Sequence, residues 1–320
     1  MNTLNVIEST TTVLEEKSNS LSAFIGNTPL FPIRRLARNS RVSVFAKLEW
    51  QQFGSSVKSR AAFRIVQDAI RRGELTHENH LLDASSGNTG IAYAHIGAAM
   101  GIPVTLCLPE NASAERKQIL RSLGVNIHFT SRTGGTDEAQ QVAREMQQQN
   151  PDKYFYADQY SNPSNWRAHY SSTAPEILEQ TGYEITHFIT GLGTTGTFSG
   201  TGRRLKEYDE TIRLIGLQPE RPMHGLEGWK HLETADVPDI YDPTLADEMR
   251  TVDTEQAHEM VKRTAEEEGL LISPSSAANL AGALQLAEEL DEGTIVTIFP
   301  DDGSKYGEVL DTLFTTEDTR

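Results

Sequence analysis

The sequence predicts an α/β protein with parallel sheets. Three observations carry that prediction. Short apolar runs recur along the chain: VSVFAKL, HLLDA, PVTLCL, NIHFT, YFYA, THFIT, IRLIGL and TIVTIF. Helical patterns of roughly ten to sixteen residues follow most of them, which is the rhythm of βα units with helices on both faces of a sheet. Several runs end at Gly, Pro or a small polar cluster. In parallel sheets ligands sit beyond the carboxyl ends of the strands, so those clusters are where chemistry is expected.

Composition narrows the class. At 320 residues and 35.4 kDa the chain can build two packed domains or one large one. A hydrophobic share of 37 % with 23 % charged residues fits a globular protein, with no membrane-length apolar run and no signal-peptide pattern. The net charge of −16 argues against a nucleic-acid partner, which needs a basic face. The single cysteine, Cys107, lies in PVTLCLP and reads as a buried strand residue. One cysteine excludes an intrachain disulfide framework, so a reducing cytoplasm is the expected location. The histidines are scattered without metal-ligand spacing, so no metal site is expected. The first ~20 residues are polar and weakly patterned and are expected to form a mobile arm.

The first candidate element is QQFGSSVKSR (51–60), a polar loop followed by Ala61, Ala62, Ile65, Val66, Ala69 and Ile70 at helical spacing. Lys58 thus starts a helix. The positive helix end and partial burial both push its amine toward the neutral, nucleophilic form. Such an amine can form a Schiff base with an aldehyde. On this stretch alone, an ordinary solvated helix-start lysine is the competing reading.

After HLLDA comes Ser85-Ser86-Gly87-Asn88-Thr89-Gly90, then a small apolar helix. Such a loop aims amide N–H groups and hydroxyls at one point, which suits a carboxylate. A simple helix cap would use only one or two of these residues. After THFIT comes Gly191-Leu192-Gly193-Thr194-Thr195-Gly196-Thr197, a GxGxxG between strand and helix. A dinucleotide site is the rival. The hydroxyls of Thr194, Thr195 and Thr197 favour a terminal monophosphate, and no clear acid ends the next strand. LLISPSSAANLAGAL starts a helix at Ser275 or Ser276. Ser275 could face a pyridine nitrogen or could simply be the N-cap.

In this order the lysine loop, SSGNTG and GTTGT resemble the β-family of pyridoxal-phosphate enzymes, the cysteine synthases in particular. The resemblance runs from Gly26-Asn27-Thr28-Pro29-Leu30 to PDDGSKY (300–306) and includes LPENASAERKQILRSLG, QYSNPSNWRAHYSSTAPEI and GLQPE. Trp229, and the lack of a glycine-rich insertion after GLQPE, look more like cysteine synthase B. The resemblance implies a tryptophan-synthase-β-like fold of two three-layer α/β domains with mostly parallel sheets. The large domain would be 1–54 with 160–320, and the small mobile domain 55–159. It also implies pyridoxal 5′-phosphate as cofactor, with Lys58 as its lysine and Asn88 on its ring oxygen. Gly193, Thr194, Thr195, Gly196 and Thr197 would hold its phosphate, and Ser275 would face its pyridine nitrogen. Ser85, Ser86, Thr89 and Gln159 would take the substrate carboxylate.

The chain departs from the family pattern at Gln52-Phe53, at Ser59, at Ala277 after the serine pair with Pro274 before it, and at Glu227-Gly228 beside Trp229. The expected activity is β-replacement giving L-cysteine from O-acetylserine or O-phosphoserine and a sulfur donor, in a cytoplasmic homodimer that binds neither nucleic acid nor membrane. Another β-replacement or a β-eliminating, serine/threonine dehydratase-like enzyme, and a non-catalytic ligand- or partner-binding homologue, are the alternatives.

Overall fold

A computed structural model describes residues 3–314 apart from Ser86, with side chains from Thr12 onward. Its strands in chain order are β1 (Leu30–Ile33), β2 (Val42–Leu48), β3 (His80–Ala84), β4 (Val104–Pro109), β5 (Asn126–Thr130), β6 (Tyr154–Tyr156), β7 (His187–Gly191), β8 (Arg213–Pro219), β9 (Glu248–Val252) and β10 (Gly293–Phe299). The helices are α1 (Thr3–Ser22), α2 (Lys58–Arg71), α3 (Asn88–Met100), α4 (Ala114–Ser122), α5 (Gly135–Gln149), α6 (Pro163–Ala168), α7 (Ala174–Gln180), α8 (Gly196–Tyr208), α9 (Thr254–Arg263), α10 (Pro274–Glu289) and α11 (Gly307–Phe314). Two compact units result: Met1–Gly26 with Gln52–Asn165, and Asn27–Gln51 with Trp166–Arg320.

The first unit holds a parallel sheet in the order β5-β4-β3-β6. Side chains alternate across a strand, so each run serves two cores. Leu81, Leu106 and Leu108 pack with α2 and α3, whereas Leu82, Ala84 and Cys107 pack with Ala139 and Ala143 of α5. The unit is therefore three-layered. Cys107 is fully buried, and burial pushes its thiol up to about 12, with Asp83 adding to the effect. It is an inert core residue.

The amino-terminal segment differs from the mobile arm expected. It forms α1, whose Leu14 and Leu21 join the core of α2 and α3. Lys17 Nζ donates to the Met100 carbonyl at 2.8 Å, satisfying an end carbonyl of α3. That packing groups residues up to Gly26 with the segment that begins at Gln52, instead of leaving 1–54 together.

The second unit has the sheet order β1-β2-β10-β7-β8-β9, with β1 antiparallel and the other pairs parallel. One face packs on α9 and α10 through Val44, Ile189, Ile215 and Ile295. The other carries Phe188, stacked on Phe198 of α8 with ring centroids 6.5 Å apart. The strands absent from the sequence reading, β1 and β9, are the two sheet edges. Pro32 interrupts the first and charged residues alternate along the second, both features of edge strands.

Candidate active site

The functional side chains fall on both units, and each is described within its own. In the first unit, Lys58 opens α2 and is half-buried. Its N-cap, Val57, gives no side-chain hydrogen bond. The loop before it turns through left-handed residues, Gly54 at φ +82° and Ser55 at +51°. Gln52, where the family pattern has asparagine, spans this loop. It accepts from Gly26 N–H at 2.9 Å and donates to the Ser56 carbonyl at 3.2 Å. Phe53 lies edge-on to His95 at 5.5 Å. Ser56 and Ser59 on either side of Lys58 are buried, and their hydroxyls have no hydrogen-bond partner. The face of α2 expected to be core, from Ala61 to Ile70, is buried.

The β3–α3 turn is closed by its own side chains. Ser85 Oγ accepts from Gly87 N–H at 3.3 Å and from Gly90 N–H at 3.1 Å, and its own proton remains to be donated. Thr89 Oγ1 donates to Gln159 Oε1 at 2.6 Å, and both side chains are buried. Gln159 reaches back to the Ala84 carbonyl at 3.4 Å, and Asn165 holds the Gln159 carbonyl at 2.7 Å. Asn88 is the first residue of α3 and half-buried. Ser86 lies outside the described residues.

In the second unit, β7 ends at Gly191 and α8 begins at Gly196, with Thr195 as N-cap at φ +66°. Thr195 Oγ1 is buried without a hydrogen-bond partner. Gly193 lies so close to the neighbouring loop that an added Cβ would sit 2.0 Å from the Gly228 carbonyl oxygen. Thr194 Oγ1 accepts weakly from Gly196 N–H at 3.5 Å. A helix N-terminus ringed by hydroxyls, one of them orphaned, fits a phosphate that would take up these donors. The donor set therefore fits pyridoxal phosphate.

Two residues here escaped the sequence reading. His169 is buried and its Nε2 pairs with Thr197 Oγ1 at 3.3 Å, while Nδ1 pairs with Thr173 Oγ1 at 2.9 Å. It opens a π-helical turn, His169–Thr173, between α6 and α7, a kind of turn frequent at functional sites. Asn279 of α10 accepts from Gly191 N–H at 2.7 Å and donates to the Ile298 carbonyl at 2.7 Å, fixing the end of β7 to β10. A lone histidine and a mid-helix asparagine carry no local pattern that would have marked them.

The helix at the serine pair starts earlier than expected. Ser273 is the N-cap of α10 and accepts from Ser276 N–H at 3.2 Å. Ser276 Oγ donates to the Asp301 carbonyl at 2.7 Å. Ser275 thus has no capping role; its hydroxyl is buried 3.1 Å from Ser273 Oγ.

The chain has known relatives. A model of the pyridoxal-phosphate dependent enzyme family matches residues 21–301. A cysteine synthase of Aquifex aeolicus (strain VF5) is 45% identical over 289 residues, covering 88% of each chain. Cysteine synthase B of Escherichia coli (strain K12) is 36% identical over 288 residues, covering 90% of this chain and 94% of that one. The crystal structure of a cysteine synthase (OASS) from Entamoeba histolytica superposes with a TM-score of 0.85 at 32% identity, covering 92% of this chain and 95% of that one.

Proposed function

The chain belongs to the pyridoxal-phosphate dependent enzyme family, and within it we propose a cysteine synthase that makes L-cysteine from O-acetylserine and a sulfur donor. The observation that carries the reading is the helix-terminal cup of the second unit. Its buried, unpartnered Thr195 hydroxyl and the backbone approach at Gly193 suit a phosphate. The absence of space for a Cβ at Gly193 matches a loop whose amides, not side chains, are presented.

When bound, the cofactor supplies an electron sink for negative charge at the substrate α-carbon. Lys58 would hold it, Asn88 would bond its ring oxygen, Gly193–Thr197 its phosphate, and Ser275 would face its pyridine nitrogen. A neutral serine hydroxyl there, unlike a carboxylate, would not hold a proton on that nitrogen. Lys58 Nζ would take the substrate α-proton as general base and later return it. Ser85, Ser86, Thr89 and Gln159 would receive the substrate carboxylate, orienting the α-proton toward Lys58. His169 would hold the Thr197 hydroxyl in place from behind.

The same reading carries a homodimer in a reducing cytoplasm. Sedimentation tests the former. Among the described residues no helix is long and apolar enough to cross a membrane. The central experiment is Lys58→Ala. Purified variant should keep its circular dichroism but lose turnover by more than about a thousandfold, as expected for a group acting as both base and anchor. Borohydride reduction of wild type should fix the cofactor on the Lys58 peptide. Label on another lysine would overturn the assignment.

A further inference from the structure

Behind the Ser85–Thr89 loop stands a buried carboxyl. Asp83, next to last in β3, is 1% exposed. Its Oδ1 accepts from Ala84 N–H at 2.8 Å. Its Oδ2 has no hydrogen-bond partner, and neither do the hydroxyls of Tyr93 on α3 and Tyr156 on β6. The groups acting on Asp83 are the Asp158 carboxylate, the Tyr93 hydroxyl and the backbone of Ala84 and Gln159. Around them stand Cys107 on β4 and Tyr160 after Gln159, with Asp137 and Arg144 of α5 bearing on Tyr160 and Tyr156 respectively. Arg144, the cation of this set, bears on Tyr156. Burial moves the Asp83 carboxyl up to about 7.

The elements that carry this cluster also carry the carboxylate candidates. Asp83 leads directly into Ser85, Tyr93 shares α3 with Thr89, and Tyr156 and Tyr160 flank Gln159. We propose that Asp83 takes up a proton when the carboxylate of an amino acid docks on Ser85, Thr89 and Gln159, so that substrate binding is proton-coupled. This rests on the reading that those residues receive the carboxylate. The balance is one solvent proton added to Oδ2; an O–H bond forms and no heavy-atom bond changes. The new hydroxyl is available for donation to the Tyr156 oxygen, which has no hydrogen-bond partner.

A negative charge arriving near a carboxylate disfavours its ionised form, and the coupling is reciprocal. The protonated protein therefore binds the anion more tightly. Affinity is highest below the Asp83 titration range and falls as pH rises through it.

The test is calorimetric titration of holoprotein with L-serine at pH 7, in buffers of different ionisation enthalpy. Protons exchanged by the amine are common to wild type and variants and cancel on subtraction. Wild type should take up a substantial fraction of a proton more than Asp83→Asn. Its dissociation constant should rise roughly threefold to tenfold more between pH 6 and 8, since each unit of coupling is tenfold. Tyr93→Phe, which removes a neighbouring hydroxyl that favours the ionised form, should keep the uptake and shift it to higher pH. Equal proton counts in wild type and Asp83→Asn would overturn the proposal. If Asp83→Asn does not fold, an unshifted pH range in Tyr93→Phe would do the same. Thr89→Ala separates the two layers. Weakened L-serine binding in that variant with equal proton counts elsewhere removes only the coupling, whereas unchanged binding removes the carboxylate reading and the proposal together.

Discussion

The β3–α3 and β7–α8 turns use the same device, a glycine-rich loop feeding a helix N-terminus, and complete it in opposite ways. In the first, Ser85 Oγ accepts two loop amides and Thr89 is bonded to Gln159, so the loop holds its own shape. In the second, Thr195 sits left-handed with a buried hydroxyl that bonds nothing, and Thr197 leans on His169 at a long 3.3 Å. An unmade buried hydrogen bond costs on the order of 1–3 kcal/mol, which a resident phosphate would recover. On the proposed reading, the difference separates a loop built around a permanent ligand from one built around a visiting one. A substrate must arrive and leave, so its loop stands complete without it.

The largest test of that contrast is Gly193→Ala. The new Cβ would meet the Gly228 carbonyl at 2.0 Å, and backbone cannot swing aside as a side chain can. Overpacking of this kind costs about 1–3 kcal/mol, and the displaced amides would no longer converge. We expect the cofactor dissociation constant to rise about a hundredfold or more, read by absorbance titration, with the helix content unchanged. Wild-type cofactor affinity in this variant would mean the phosphate lies elsewhere.

Next come two matched threonine variants. Thr197→Ala should raise the cofactor dissociation constant roughly tenfold, the equivalent of a charge-assisted hydrogen bond, and leave kcat at saturation near wild type. Thr89→Ala should do the reverse. It strands Gln159 Oε1, raises the KM for the amino-acid substrate roughly tenfold, and leaves cofactor affinity alone. The comparison breaks if Thr89→Ala releases cofactor.

What could be read beforehand followed from how local the signal is. HLLDA-SSGNTG and THFIT-GLGTTG each place strand, turn and helix start within a dozen or so residues, and both appear where the pattern puts them. Lys58 at the head of α2 was legible for the same reason. The partners of these turns were not. His169 lies 28 residues from Thr197, and Asn279 lies 88 from Gly191. Neither pairing leaves a periodic trace. The amino-terminal helix was missed because only two of its described apolar side chains, Leu14 and Leu21, are buried, too sparse a stripe in a polar segment. The cap of α10 was misplaced by two residues or more because three serines around Pro274 all suit the role, and only the bond from Ser276 N–H to Ser273 Oγ chooses among them.

The smallest expected effect concerns the loop beside the cup, Arg221 to His231, and with it the leaving group. Trp229 packs against Gly191, and Lys230 N–H donates to the Leu192 carbonyl at 2.8 Å, so this loop is seated on the β7–α8 turn. A substrate phosphate would need cations there. Arg221 is exposed and lies 3.6 Å from Glu220. Burial and the neighbouring His231 hold His224 below the ordinary imidazole value, which disfavours its charged form. Lys230 Nζ donates to the Asp236 carbonyl at 2.9 Å, within its own loop. Its ammonium is thereby directed to a loop carbonyl, with Glu227 three residues away in sequence adding negative charge. This arrangement is a poor dianion site, and O-acetylserine is the expected substrate over O-phosphoserine. Lys230→Ala should then change the ratio of kcat/KM for the two by less than about threefold, under 1 kcal/mol. A wild-type preference for O-phosphoserine that collapses in Lys230→Ala would place this ammonium in the substrate site. It would also show that the loop over the cup, unlike the cup itself, rearranges to meet its ligand.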